Sequence, residues 1–390
     1  MRKAFLREKH RWPILPAGIL LVWIGSFAGP GRALAQTIVE NPAKPKAANA
    51  GRVVVPQQVL AITDEGTSNY YFKWPRSLKT APDGSLLFID ESQVLRFDKD
   101  GKFQYNFFKK GQGPGEVNYV SACLVTAKSA ILFSSNPTKI VFFDLSGKFE
   151  KETPVRSEGR SSLTALLCEG GFFYFRAWEF PQTKGDPDFV DTPQTIAAVN
   201  EATGEIKSLA SFMTKSYVIS SPAGGGGMFD ITSLIAVPFK ERLLALTHTS
   251  EYLLKIYNPE ADKIIREFRR AYERVKPEPL TEEQKKGGLI IDGKHYGPPE
   301  LKFQNDVRNL LARCDEIWAV TSTKDKAKGI LIDVFDGEGV YRDSFWLKLP
   351  EAALKSVIYP GFCALDGDFL WVVERSEDET FAVKKYRVVI

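Results

Sequence analysis

Apolar residues fall in short runs along this chain, and turn residues separate the runs at regular intervals. Leu86–Asp90, Ile131–Ser135, Phe172–Ala177, Leu243–Thr247, Ile317–Thr321 and Phe369–Glu374 are each rich in Leu, Ile, Phe and Val. Runs of this length between turn signals predict strands. A second strand pattern follows each one and closes on aromatic-Asp-x-x-Gly-Lys. It is clearest in Val94–Phe103 and Ile140–Phe149. Weaker copies occupy 196–206, 254–265, 332–341 and 383–390. In such turns Asp bonds its own backbone and Gly supplies a positive φ. A four-strand unit repeated six times predicts an all-β chain folded as a six-bladed β-propeller, a regularity that a β-sandwich lacks. The last copy is one strand short. Val53–Ile62 is the spare strand expected to close the sixth blade from outside, which hides two sheet edges.

The first residues follow a different pattern. Arg2, Lys3, Arg7, Lys9 and Arg11 precede an apolar run from Ile14 to Ala28, and Ala33-Leu34-Ala35 follows. A basic head, an apolar middle and an A-x-A site predict a secretory signal peptide over residues 1–35, and the run is too short for a membrane span. The chain is therefore expected to be exported, to the periplasm or the extracellular space. Residues 36–51, rich in Pro, Ala and Lys, read as a flexible leader, and 52–390 as the propeller.

Charge changes with this division. The whole chain carries a formal +4. Cleavage after Ala35 removes six basic residues and Glu8, leaving 46 Lys and Arg against 47 Asp and Glu. No basic stripe remains, so a nucleic-acid partner is not expected. The four cysteines, Cys123, Cys168, Cys314 and Cys363, permit two disulfides in an exported chain, or four buried thiols. None stands in a CxxC spacing.

Propeller loops alternate between two faces. First-to-second and third-to-fourth strand turns share one face. Second-to-third connections and blade links share the other, and every long insertion falls there: Trp178–Thr192, Lys215–Phe229 and Ala271–Gln304. A rigid scaffold elaborated on one side predicts a binding face. Within the longest insertion, Leu280–Lys286 predicts a short helix, and Leu289–Tyr296 predicts a hairpin around Asp292-Gly293.

Candidate chemistry gathers at this mouth. Glu116, Asn118, Asp230, Asn305 and Asp306 offer hard oxygen ligands of the kind that Ca²⁺ takes, or ordinary turn caps. Arg76 and Arg160 are candidates for an anionic group. Trp74, Tyr119, Trp178 and Phe229 are candidates to stack on sugars or peptides. After Ala35 only His248 and His295 remain, too few for a His-built zinc site.

Phe108–Glu116 contains Gly111-Gln112-Gly113-Pro114-Gly115-Glu116. No Gly-Lys-Ser/Thr follows, so this is no phosphate loop. It reads as a rigid link between blades one and two. The segment resembles the G-x-G-P-G-E-F signature of exported bacterial six-bladed propellers of the NHL-like group, with Val117 in place of Phe. That resemblance implies a binding or scaffold module and transfers no catalytic set. The expected function is an exported, non-enzymatic propeller with no cofactor, binding a protein, peptide or glycan on its elaborated face. The alternative is a divalent-cation-dependent hydrolase or lyase of propeller-lactonase type, with Ca²⁺ near Glu116 and Asn305.

Overall fold

The computed structural model describes residues 38–156, 162–181, 187–221, 226–280 and 287–390. The expected signal peptide and nearly all of the helix expected over 280–286 lie outside these residues. Three short strands come first: β1 (Val39–Asn41), β2 (Arg52–Val54) and β3 (Gln57–Ile62). Blade one is β4 (Pro75–Thr80), β5 (Leu86–Asp90), β6 (Gln93–Phe97) and β7 (Phe103–Asn106). Blade two is β8 (Val120–Val125), β9 (Ser129–Ser135), β10 (Thr138–Asp144) and β11 (Phe149–Pro154). Blade three has five strands, β12 (Ser162–Glu169), β13 (Phe172–Trp178), β14 (Asp188–Asn200), β15 (Ile206–Ser220) and β16 (Gly226–Asp230). Blade four is β17 (Ile235–Phe239), β18 (Leu243–Thr247), β19 (Leu254–Asn258) and β20 (Lys263–Arg270). The hairpin β21 (Leu289–Ile291) and β22 (Lys294–Tyr296) follows. Blade five is β23 (Val307–Arg313), β24 (Glu316–Asp325), β25 (Gly329–Asp336) and β26 (Tyr341–Leu347). Helix α1 (Glu351–Ile358) leads to β27 (Cys363–Asp366), β28 (Phe369–Arg375) and β29 (Phe381–Arg387) of blade six.

The inner strands touch in a closed ring: β4, β8, β12, β17, β23, β27 and back to β4. A buried cluster fills each of the six gaps between blades. Aromatic side chains carry much of that packing. Phe88 and Phe97 stack with centroids 5.6 Å apart between blades six and one.

The repeated turn works as its residues predict. Asp98 Oδ1 accepts the N–H groups of Asp100 and Lys102. Asp144 does the same for Ser146 and Lys148, and Asp336 for Glu338 and Val340. Gly101 takes φ +79°, the left-handed region that glycine enters without strain.

Several expectations need correction. Val53–Ile62 is not one strand. β3 closes blade six against β29 as expected, but β2 runs parallel to β26 and extends blade five. Pro56 separates them, because it lacks an N–H for the ladder. Nor are residues 38–51, the described part of the expected leader, free. Val39, Glu40 and Asn41 pair in parallel with Phe268, Arg269 and Arg270 as an outer fifth strand on blade four. Asn41 Nδ2 donates to the Gly339 carbonyl at 2.9 Å, and its Oδ1 accepts from Tyr341 N–H, so it also fastens blade five. The expected insertions in blade three are largely strand. β14 and β15 outgrow their neighbours and stay paired from Asp188–Val218 to Val199–Ile206. The four cysteines are free thiols. Cys123 and Cys363 are buried, Cys168 is half-buried and Cys314 is exposed, which matches neither sequence alternative. Burial pushes the Cys123 and Cys363 thiols up to about 12.

Candidate functional site

The long connections do share one face. They are 63–74 before blade one, 107–119, the ribbon end and link over blade three, 271–306, and 348–362 with α1. On one side a wall forms over blades three to five. β16 packs against β21, with Gly227 so close to Leu289 that a Cβ there would lie 2.6 Å from it. Ser221 Oγ donates to Asp292 Oδ1 at 3.0 Å. The expected hairpin is present, and its turn residues Asp292 and Gly293 have φ of +51° and +76°.

Across the ring, three consecutive links carry exposed aromatic rings. Tyr359 is 53% exposed, Trp74 48% and Tyr119 49%. Trp74 is held rather than free. The buried carboxylate of Asp90, at the end of β5, accepts the N–H groups of Lys73 and Trp74, the latter at 2.7 Å. Burial raises the Asp90 pKa, and those two N–H bonds oppose the rise. The indole then packs edge-on against Phe362 and Phe381, with centroids 5.7 and 5.9 Å away. The Arg308 guanidinium lies 5.8 Å from the Tyr359 ring. Tyr359 and Arg308 were not among the sequence candidates. The Pro-Gly-Phe that follows Tyr359 marks a turn, but only the ring closure brings it beside Trp74.

Glu116 and Asn305 do not converge. Glu116 folds back on its own link, where Oε2 accepts the Gly113 N–H at 3.0 Å. A Cβ on Gly111 would fall 2.0 Å from that carboxylate, so the motif's glycines make room for it. Lys139 Nζ and Glu152 tie the same link to blade two, through the Gly113 carbonyl and the Gly115 N–H. Asn305 lies three blades away around the ring and donates to the Ile231 carbonyl at 2.8 Å. Asp306 is buried and pairs with Arg274 at 3.0 Å. The Asp230 carboxyl is raised by burial, against the field of Arg176. Asn118 and Trp178 are half-buried and Arg76 lies at the start of β4; Arg160 lies outside the described residues. Among the described residues no group of three or more His, Cys, Asp or Glu could hold a metal ion. His248 meets the Met213 carbonyl through Nδ1 at 3.0 Å, a packing role, and burial lowers its pKa.

A family of propellers matches the chain over residues 72–210: DUF5128, described as a 6-bladed beta-propeller. The fold is a six-bladed β-propeller. A solved structure of a DUF4221 family member from Bacteroides vulgatus superposes on 87% of this chain and 99% of its own. Its TM-score is 0.51 and its identity 10%. A protein of Bacteroides fragilis described as exported covers 91% of this chain and 100% of its own, at 12% identity and TM-score 0.49. A gluconolactonase from Xanthomonas campestris covers 86% and 98%, at 11% identity and TM-score 0.39. A search of curated proteins finds no match. Among the described residues no helix is long and apolar enough to cross a membrane.

Proposed function

We propose that this propeller is an exported, non-enzymatic binding module that captures a peptide, protein or glycan ligand on its elaborated face. The observation that carries the reading is the row of exposed rings, Tyr359, Trp74 and Tyr119, on three adjacent links. An aromatic side chain with fixed backbone offers a large apolar surface at low entropic cost, which suits sugar rings and peptide side chains alike. Asp90 and the edge contacts from Phe362 and Phe381 hold Trp74 before any ligand arrives. The wall of β14–β16 and the β21–β22 hairpin gives the opposite rim. The basic, apolar and A-x-A pattern of residues 1–35 and the resemblance of the Gly111–Glu116 motif to exported NHL-like propellers support export.

Glycan and peptide arrays probed with the labelled protein test this reading. Trp74→Ala and Tyr119→Ala, with unchanged circular dichroism, are each expected to weaken a retained ligand about tenfold or more, the scale of an interface anchor. Undiminished retention by both variants would refute the face assignment.

A further inference from the structure

The six inner strands enclose a channel cavity of about 450 Å³. Its wall contains Lys79 from β4 and Arg176 from β13, and not one carboxylate among its described lining residues. The Lys79 side chain makes no hydrogen bond or ion pair with any described residue, and the titratable group whose field acts on it is the buried thiol of Cys123. Arg176 donates to the Leu234 carbonyl at 3.0 Å and to Thr164 Oγ1 at 3.4 Å. Its Nε–H is buried without a partner. Asp230 acts on Arg176 only through its field, and no ion pair joins them. Both residues are half-buried, and among the described residues neither is joined to a carboxylate by an ion pair, so their charge is left for an anion to complement.

The wall is also irregular. β4 is broken by a bulge between Arg76 and Lys79. Inside that bulge Ser77, which lines the cavity, takes φ +57°. A non-glycine residue held there stores strain that the surrounding structure must support, and such strain gathers at ligand sites. Arg76, two residues before the bulge ends, adds its field to that of Lys79 at Cys123.

We propose that the central channel binds a small anion, of carboxylate or phosphate class, between the Lys79 ammonium and the Arg176 guanidinium. The anion supplies the charge that the protein omits, in a low-dielectric bore where the attraction is poorly screened. Burial lowers the Lys79 pKa, so an anion that favours the ammonium also favours proton uptake there. This site is independent of the aromatic face and does not rest on it.

Isothermal titration calorimetry of the full chain with inorganic phosphate and, separately, with succinate tests the proposal. Binding of phosphate alone, succinate alone or both is expected, and the pattern identifies the anion class. Lys79→Met and Arg176→Lys should each weaken that binding about tenfold or more, the scale of one charge-assisted hydrogen bond. Lys102→Met, an exposed charge on the opposite face, should not change it. No heat with either anion, or equal affinity in the Lys79→Met and Arg176→Lys variants with native circular dichroism, would overturn the proposal.

Discussion

Asp333 lies fully buried in β25 and accepts hydrogen bonds from Tyr252 Oη at 2.7 Å, Tyr341 Oη at 2.5 Å and Arg270 Nε at 2.8 Å. The Arg270 guanidinium also lies 5.1, 4.8 and 5.3 Å from the rings of Tyr252, Tyr272 and Tyr341. Burial acts to lower the Arg270 pKa, but the charge and hydrogen bond of Asp333, together with the Tyr252 and Tyr341 hydroxyls, outweigh it and raise the value. This pair joins blades four and five. Removing the acid strands a buried cation, so Asp333→Ala should cost about 3–5 kcal/mol in urea unfolding. A loss under about 1 kcal/mol would contradict a tightly coupled pair. Nothing in the sequence marked Asp333, because two of its three partners, Arg270 and Tyr252, lie 63 and 81 residues away. Asp98, Asp144 and Asp336 were legible because each bonds backbone two and four residues on. Glu116 was legible as part of a tight link. Its use inside that link was not, since the same letters permit either direction of the carboxylate.

The Asp-x-x-Gly turn ties a third strand to a fourth, and Asp144 is one instance. The Ser146 hydroxyl and then the Lys148 N–H hold its carboxyl below the ordinary value of 3.8. A depressed carboxyl adds stability above its unfolded value, and that part is lost as pH falls through the folded one. Asp144→Ala should therefore lower the melting temperature at pH 7, with the gap to the native chain narrowing on acidification below pH 4. Thermal scans from pH 7 to pH 3 check this; a gap that stays constant would show that charge has no part in the turn. Strands β5 and β18 match the expected bounds, since periodicity and turn residues define them locally. Helix α1 escaped notice. Its apolar residues Ala353, Val357 and Ile358 show helical spacing, but eight residues give a weak signal among so many strands. The packing of that face against blades five and six makes it a helix.

Ring closure belongs to the whole molecule. β3 brings Gln57–Ile62 against Val383–Arg387, so the two ends of the propeller share one sheet. β1 and β2 then cover the outer edges of blades four and five. A chain beginning at residue 56 keeps β3 but bares β20 and β26. It should melt about 2–3 °C lower than one beginning at residue 37, the shift expected from one to two kcal/mol in a domain of this size, and it should aggregate more readily. Equal melting and equal solubility would show that the two strands are ornamental. The sequence by itself determined the blade number, the four-strand core of each blade, the turn chemistry and the face that bears the long loops. Each of these depends on residues within a few positions of one another. Only the tertiary structure decided where the first strands dock, that Glu116 stays apart from Asn305, that Phe362 packs against Trp74, and that Lys79 and Arg176 line one channel. Those outcomes rest on pairs such as Val39 with Phe268 and Arg52 with Phe345, which the chain brings together only when the ring closes.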